Sequence, residues 1–167
     1  MHIKPAVTLF AAVSMLVSVA QAEQTGDSVT FDFQGRFLIN TPCKVNNDQI
    51  MDITFGNVGV KKVDGVNFMQ TIPYTVDCQG AQDSTLINLT VSGTATTYDD
   101  AALTTSAEGL GIEIQANGQA MKLNQPLKTT LSGLRTLTLK AVPVKDPTKE
   151  LTAQTFSATA TLTAEYQ

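Results

Sequence analysis

The stretch Phe156-Ser-Ala-Thr-Ala-Thr-Leu-Thr-Ala-Glu-Tyr-Gln167 alternates apolar and polar residues to the final position. Phe156, Ala158, Ala160, Leu162, Ala164 and Tyr166 fall on one face. Ser157, Thr159, Thr161, Thr163 and Glu165 fall on the other. A period of two is the signature of a half-buried strand. Chain ends fray unless something holds them, so a strand patterned up to Gln167 and its carboxylate implies an end that is used. A second stripe lies near the opposite end: Val29, Phe31, Phe33, Gly35 and Phe37, with Thr30, Asp32, Gln34 and Arg36 between. One stripe offers an aromatic-rich edge, and the other closes the fold.

Ahead of both, Lys4 gives a charged start, Ala6 to Val19 an apolar stretch, and Ala20-Gln21-Ala22 a small-x-small cleavage site. This pattern predicts a secretory signal over residues 1–22. The stretch is short for a membrane span, which needs about 20 residues, and no basic stop-transfer run follows it. No later segment is apolar enough to cross a bilayer, so the mature chain is expected not to insert into a membrane. It would be a single domain of about 145 residues, long enough for a real core. Losing Lys4 takes the formal net charge from −4 to −5. With no basic run, nucleic acid is not an expected partner. Cys43 and Cys78 are the only cysteines, and in an exported chain they are expected to pair, with two buried free thiols as the alternative.

Between the stripes the chain reads as strands and turns. Lys44-Val45, Ile50 to Phe55, a strand carrying Phe68, Ile72, Tyr74, Val76 and Cys78 at one parity, and Leu86 to Val91 come first. Pro73 suggests an edge or bulge. Thr94 to Glu108 is polar and small and reads as a long loop. Asn117-Gly118 between two apolar runs is the strongest short hairpin signal. Leu134 to Val144 alternates through Leu137, Leu139 and Ala141, and no stretch shows a convincing helical period. Short strands at regular spacing predict an all-β chain, a β-sandwich of immunoglobulin-like architecture.

Catalytic chemistry finds little support. The single histidine, His2, leaves with the signal, which removes histidine-based triads and imidazole zinc sites. Asp99-Asp100 reads as a solvated turn rather than a catalytic pair. Gly109-Leu110-Gly111 lacks the spacing of a phosphate-cradling loop. Asn88-Leu89-Thr90 matches a glycosylation sequon but lies in an expected strand. No tryptophan offers a sugar platform, and Tyr98 in the long loop would be a weak one. The expectation is a non-enzyme with no catalytic residues, no metal and no cofactor.

The leader stripe Val29-Thr-Phe-Asp-Phe-Gln-Gly35, the Pro42-Cys43 pair, Cys78 and the terminal Phe156-to-Tyr166 stripe together resemble a chaperone–usher fimbrial subunit, a pilin. The likeness covers the whole mature chain and is greatest to small subunits of type 1-like and P-like fimbriae. It implies an incomplete immunoglobulin-like sandwich lacking its last strand, with one disulfide, Cys43–Cys78. It also implies an apolar groove beside the C-terminal strand. In this family a periplasmic chaperone fills the groove with its own strand and grips the terminal carboxylate. At the outer-membrane usher, the next subunit's N-terminal extension replaces that strand, a mode known as donor-strand complementation.

The resemblance assigns residues 23–37 to the extension and 38–167 to the pilin domain. Val29, Phe31, Phe33 and Phe37 would be donated to a neighbouring subunit, and Gly35 would sit where the groove leaves no room. Phe156, Ala158, Ala160, Leu162, Ala164, Tyr166 and Gln167 would form the groove wall and the chaperone contact. The implied location is a cell-surface fimbrium reached through the periplasm. Length and the Phe-rich extension favour a minor, adaptor-type subunit. The alternatives are a major rod pilin, or a secreted β-sandwich binding sugar or protein through residues 94–108. One departure stands out: Gln154 occupies the place where relatives commonly carry a glycine before the terminal stripe.

Overall fold

Strand β4, Leu86–Ser92, sits at the centre of one sheet because its alternation is the cleanest in the chain. Ile87, Leu89 and Val91 turn inward and are buried, while Asn88, Thr90 and Ser92 face outward. The computed structural model describes residues 43–167. The expected signal at 1–22, the extension at 23–37 with Val29, Phe31, Phe33, Gly35 and Phe37, and the first residues of the 38–167 domain lie outside the described residues.

Ten short strands and one helix make up the described chain. The first four are β1 (Lys44–Val45), β2 (Gln70–Thr71), β3 (Val76–Asp77) and β4. Then come β5 (Ala102–Thr104), β6 (Leu110–Ala116), β7 (Gln119–Ala120), β8 (Leu127–Thr130), α1 (Leu131–Thr136), β9 (Leu139–Lys145) and β10 (Thr161–Tyr166). All pairings are antiparallel. One sheet has the order β10-β4-β8, a second β2-β9-β6-β5 with β7 folding back on β6, and β1 and β3 form a third, two-stranded one. Ile112, Ile114 and Ala116 of β6, with Leu139 and Ala141 of β9, meet Ile87 and Leu89 in a shared core. The result is the all-β sandwich expected from the pattern. Cys43 and Cys78 are bonded, 35 residues apart, which ties β1 to the end of β3. Asn117 (φ 49) and Gly118 (φ 79) make the expected two-residue hairpin.

Five expectations need correction. The Phe68-to-Cys78 strand is broken: β2 pairs with β9 and β3 with β1, with Pro73 between them. Its ring supplies no N–H, so neither ladder can run through it. Residues 94–108 are not a long open loop. After the pair Ser92↔Thr161 the chain leaves one sheet at Gly93 and crosses to the other. There Thr104 N donates to Thr94 O, Thr96 N donates to Ala102 O, and Ala95 bridges Leu103. Small size, not polarity, explains this segment, since Ala101, Ala102, Leu103 and Ala107 are all buried.

The helix α1 went unread because six residues containing a glycine and a threonine show no full period. It is held by Thr130, whose side chain accepts from Gly133 N at 3.1 Å, and by the buried Leu131 and Leu134. Finally, Ile50 to Phe55 forms no strand, and the terminal strand starts at Thr161 rather than Phe156. Because β4 turns away at Gly93, residues 156–160 have no ladder partner on that side.

Candidate functional site

The two segments that fail to become strands are the walls of one groove. One wall is Ile50–Val58, which leaves β1 through a left-handed turn at Asn46, Asn47 and Asp48 (φ 48, 50 and 60). Asparagine and aspartate tolerate that conformation better than other side chains. The turn closes with Gln49 N donating to Asn46 O. The opposite wall runs through Leu151–Ala160 and continues into β10. Between them lies a cavity of about 830 Å³ whose floor belongs to the core: Val91, Leu103, Ile112, Ile114, Leu139 and Ala141. Asp52 is the one ionisable side chain in its lining. A site this apolar, with this chemistry, selects apolar side chains rather than a charged ligand.

The walls are also unusual in their backbone. Among the described residues, no N–H or C=O of residues 50–58 or 158–160 enters a backbone–backbone hydrogen bond. Among the described residues strand β10 pairs only with β4, so there it is an edge strand. Two rows of free donors and acceptors therefore flank an apolar floor. Such edges are templates for another strand. The second wall is anchored at Ser157, whose N–H donates to Ser106 Oγ at 3.0 Å while its carbonyl accepts from Ser106 N at 2.9 Å. Phe55 and Phe156 reach each other across the groove, with ring centroids 5.9 Å apart and tilted by 47°.

The structure distributes the terminal stripe in two ways. Over Thr161–Tyr166 the alternation holds: Ala164 is buried, Leu162 and Tyr166 are half-buried, and Thr161 and Glu165 are exposed. Their register is Leu162↔Val91, Ala164↔Leu89 and Tyr166↔Ile87. Gln167 is exposed, and its N–H donates to Leu86 O at 3.2 Å. Ahead of β10, Phe156 is half-buried while Ala158 and Ala160 lie exposed along the groove. Gln154 is exposed as well, its amide donating to Thr152 Oγ1 at 3.0 Å, so the missing glycine leaves no clash. Sequence reasoning overlooked the Ile50–Val58 wall. Its signal was the pair Ile53 and Phe55 with no strand partner to pack on, together with Ile50, which is 91% exposed.

The rival site at residues 94–108 is used up by the fold. Tyr98 is half-buried, and its hydroxyl lies 3.4 Å from Gly109 O and 3.5 Å from Val144 O, above Gly111. Burial, and then the nearby Asp146 carboxylate, pushes its pKa up. Among the described residues no cluster of acidic, cysteine or histidine side chains could hold a metal, and no helix is long and apolar enough to cross a membrane.

Comparison with known proteins agrees with this geometry. A family profile described as "Fimbrial protein" matches residues 31–167. The uncharacterized fimbrial-like protein YfcQ of Escherichia coli (strain K12) is 33% identical over 160 residues, 92% of this chain and 95% of the relative. The uncharacterized fimbrial-like protein YfcR of the same organism is 29% identical over 157 residues, covering 92% and 91%. Among solved structures, the P pilus rod subunit PapA aligns with a TM-score of 0.59 at 20% identity, over 84% of this chain and all of that one. The P pilus adaptor subunit PapF aligns at 0.53 and 23% identity, over 77% and 98%. These likenesses carry the fold, an immunoglobulin-like sandwich of pilin type, and the sequence matches carry the family. The chain belongs to the fimbrial protein family.

Proposed function

We propose that this fimbrial subunit is polymerised by strand exchange through the groove between Ile50–Val58 and Leu151–Tyr166. The observation that carries the reading is the pairing of an apolar floor with two walls of unbonded backbone. An inserted strand would satisfy both rows of hydrogen bonds and cover the floor with alternate side chains. On this reading residues 1–22 are a signal, 23–37 an extension and 38–167 the pilin domain. Val29, Phe31, Phe33 and Phe37 would fill a neighbour's groove, with Gly35 at the point of closest approach. Burying four such side chains contributes roughly 6–12 kcal/mol gross, at about 1.5–3 each, and ordering a free tail subtracts from it.

A periplasmic chaperone would occupy the groove first, contacting β10 and the end at Tyr166-Gln167, before an outer-membrane usher hands the subunit to its neighbour. Chain length and the Phe-rich extension favour a minor, adaptor-type subunit supporting adhesion over a major rod pilin. The secreted loop-binding alternative has less to rest on, because Ala101, Ala102, Leu103 and Ala107 are buried in the sandwich and Tyr98 is half-buried. The same packing supports a structural rather than an enzymatic role.

The test is a variant pair expressed with its fimbrial operon. Replacing Gly35 with arginine is expected to abolish incorporation into fibres while the chaperone complex still forms. Deleting Gln167, or Tyr166→Ala, is expected to reduce capture of the chaperone from periplasm. Normal fibres from the Gly35 variant would contradict the assignment.

A further inference from the structure

Among the described residues the wall Ile50–Val58 has no backbone–backbone bond that fixes it, so there its position depends on side chains. Its base is secured by the disulfide and the left-handed turn at Asn46–Asp48. At its far side Lys62 N donates to Gly59 O and Gly65 N to Pro143 O. Between those points Phe55 packs on the main core cluster and against Phe156. Phe156 in turn touches both the main cluster and the smaller one around Val63, Ala107 and Leu110, and it immediately precedes Ser157, which is bonded to Ser106. One ring therefore sits on an anchored wall and the other on an unbonded one. The Phe55–Phe156 pair is the aromatic pair of the described residues, and it joins the two walls of the groove.

We infer that Phe55 and Phe156 form a clasp across the groove, which an incoming strand must part before it can pair with either wall. A strand seated between two others needs roughly 4.8 Å to each neighbour, so the walls must stand apart along the whole inserted segment. The ring contact opposes that separation at one place. The clasp controls how fast the groove takes up a strand, and it lowers the exposure of the floor before uptake. It rests on the strand-exchange reading above.

The test is stopped-flow uptake of a synthetic peptide of residues 27–39 by the full exported chain, disulfide intact. Phe55→Leu keeps apolar volume but removes the ring pair. It is expected to raise the association rate about two- to tenfold, the fold-change matching an aromatic pair, with the dissociation rate nearly unchanged. Phe156→Leu should do the same, and the double variant no more than either single one. A variant that fails to fold alone is refolded on the peptide, and its rate of re-uptake after dilution and release is measured. Unchanged association, or faster dissociation with unchanged association, would overturn the clasp, because the rings would then be an ordinary wall of the filled groove. If the unsubstituted chain takes up no peptide, the strand-exchange reading itself fails, and the clasp with it.

Discussion

At Gly111 a side chain would meet three neighbours at once: Tyr98 Oη at 2.7 Å, Thr96 Cγ2 at 3.0 Å and Ala102 Cβ at 3.2 Å. The glycine leaves room for the Tyr98 hydroxyl and for Thr96 and Ala102, which lie on the 94–108 segment. Gly111→Val is expected to destabilise the fold by about 1–3 kcal/mol, the cost of overpacking, read as a lower urea midpoint at unchanged slope. Gly93 plays a related part, since a Cβ there would run into Leu103 Cδ2 at the corner where the chain changes sheets. Neither role could be read from the sequence, because both depend on a residue from a distant segment. Gly118 differs: the Asn-Gly pair is a local backbone signal and was legible as such.

Elements follow the same division between local and distant causes. β4, β6 and β10 were visible because each carries its own alternation over six or seven residues. β5 was hidden because three residues carry too little pattern. The walls of the groove misled in the opposite direction. Ile53, Phe55 and Phe156 are patterned as strand residues, yet no neighbouring strand of the described residues bonds to them. The pattern is thus that of a strand waiting for its partner, which is also why the site was half legible. The terminal wall was read as a strand with an end in use, and the facing wall was read only as an ordinary strand over Ile50 to Phe55.

The disulfide secures the base of that second wall. Replacing Cys43 and Cys78 together with serine should remove about 4 kcal/mol for a loop of this length, measured by urea unfolding of the oxidised chain against the variant. The helix α1 offers a smaller test. Thr130→Ala removes the cap on Gly133 N and is expected to cost about 1 kcal/mol.

The whole molecule titrates simply. Thr148 side-chain and backbone donors hold the Asp146 carboxyl below its usual range, the Asn67 and Val66 amides do the same for Asp64, and the Lys149 ammonium does so for Glu108. A depressed carboxylate pKa adds stability that is present above the unfolded value of about 4 and is lost as pH falls through the folded one. The described residues hold no histidine, so the urea midpoint should be flat from pH 5 to 8 and fall below about pH 4. A transition between pH 5 and 8 would contradict this.

Assembly can be separated from stability at Ala158, which lies exposed on the groove wall. Ala158→Asp should change stability by less than about 0.5 kcal/mol, yet block strand uptake, because an inserted strand would bury the new carboxylate without a partner. The most direct measurement is amide hydrogen exchange over residues 50–58 and 158–160, with and without a peptide of residues 27–39. The expected result is fast exchange along both walls in the chain alone and slowed exchange along both when the peptide is added. Amides already protected without the peptide, or unaffected by it, would show that this sandwich completes itself.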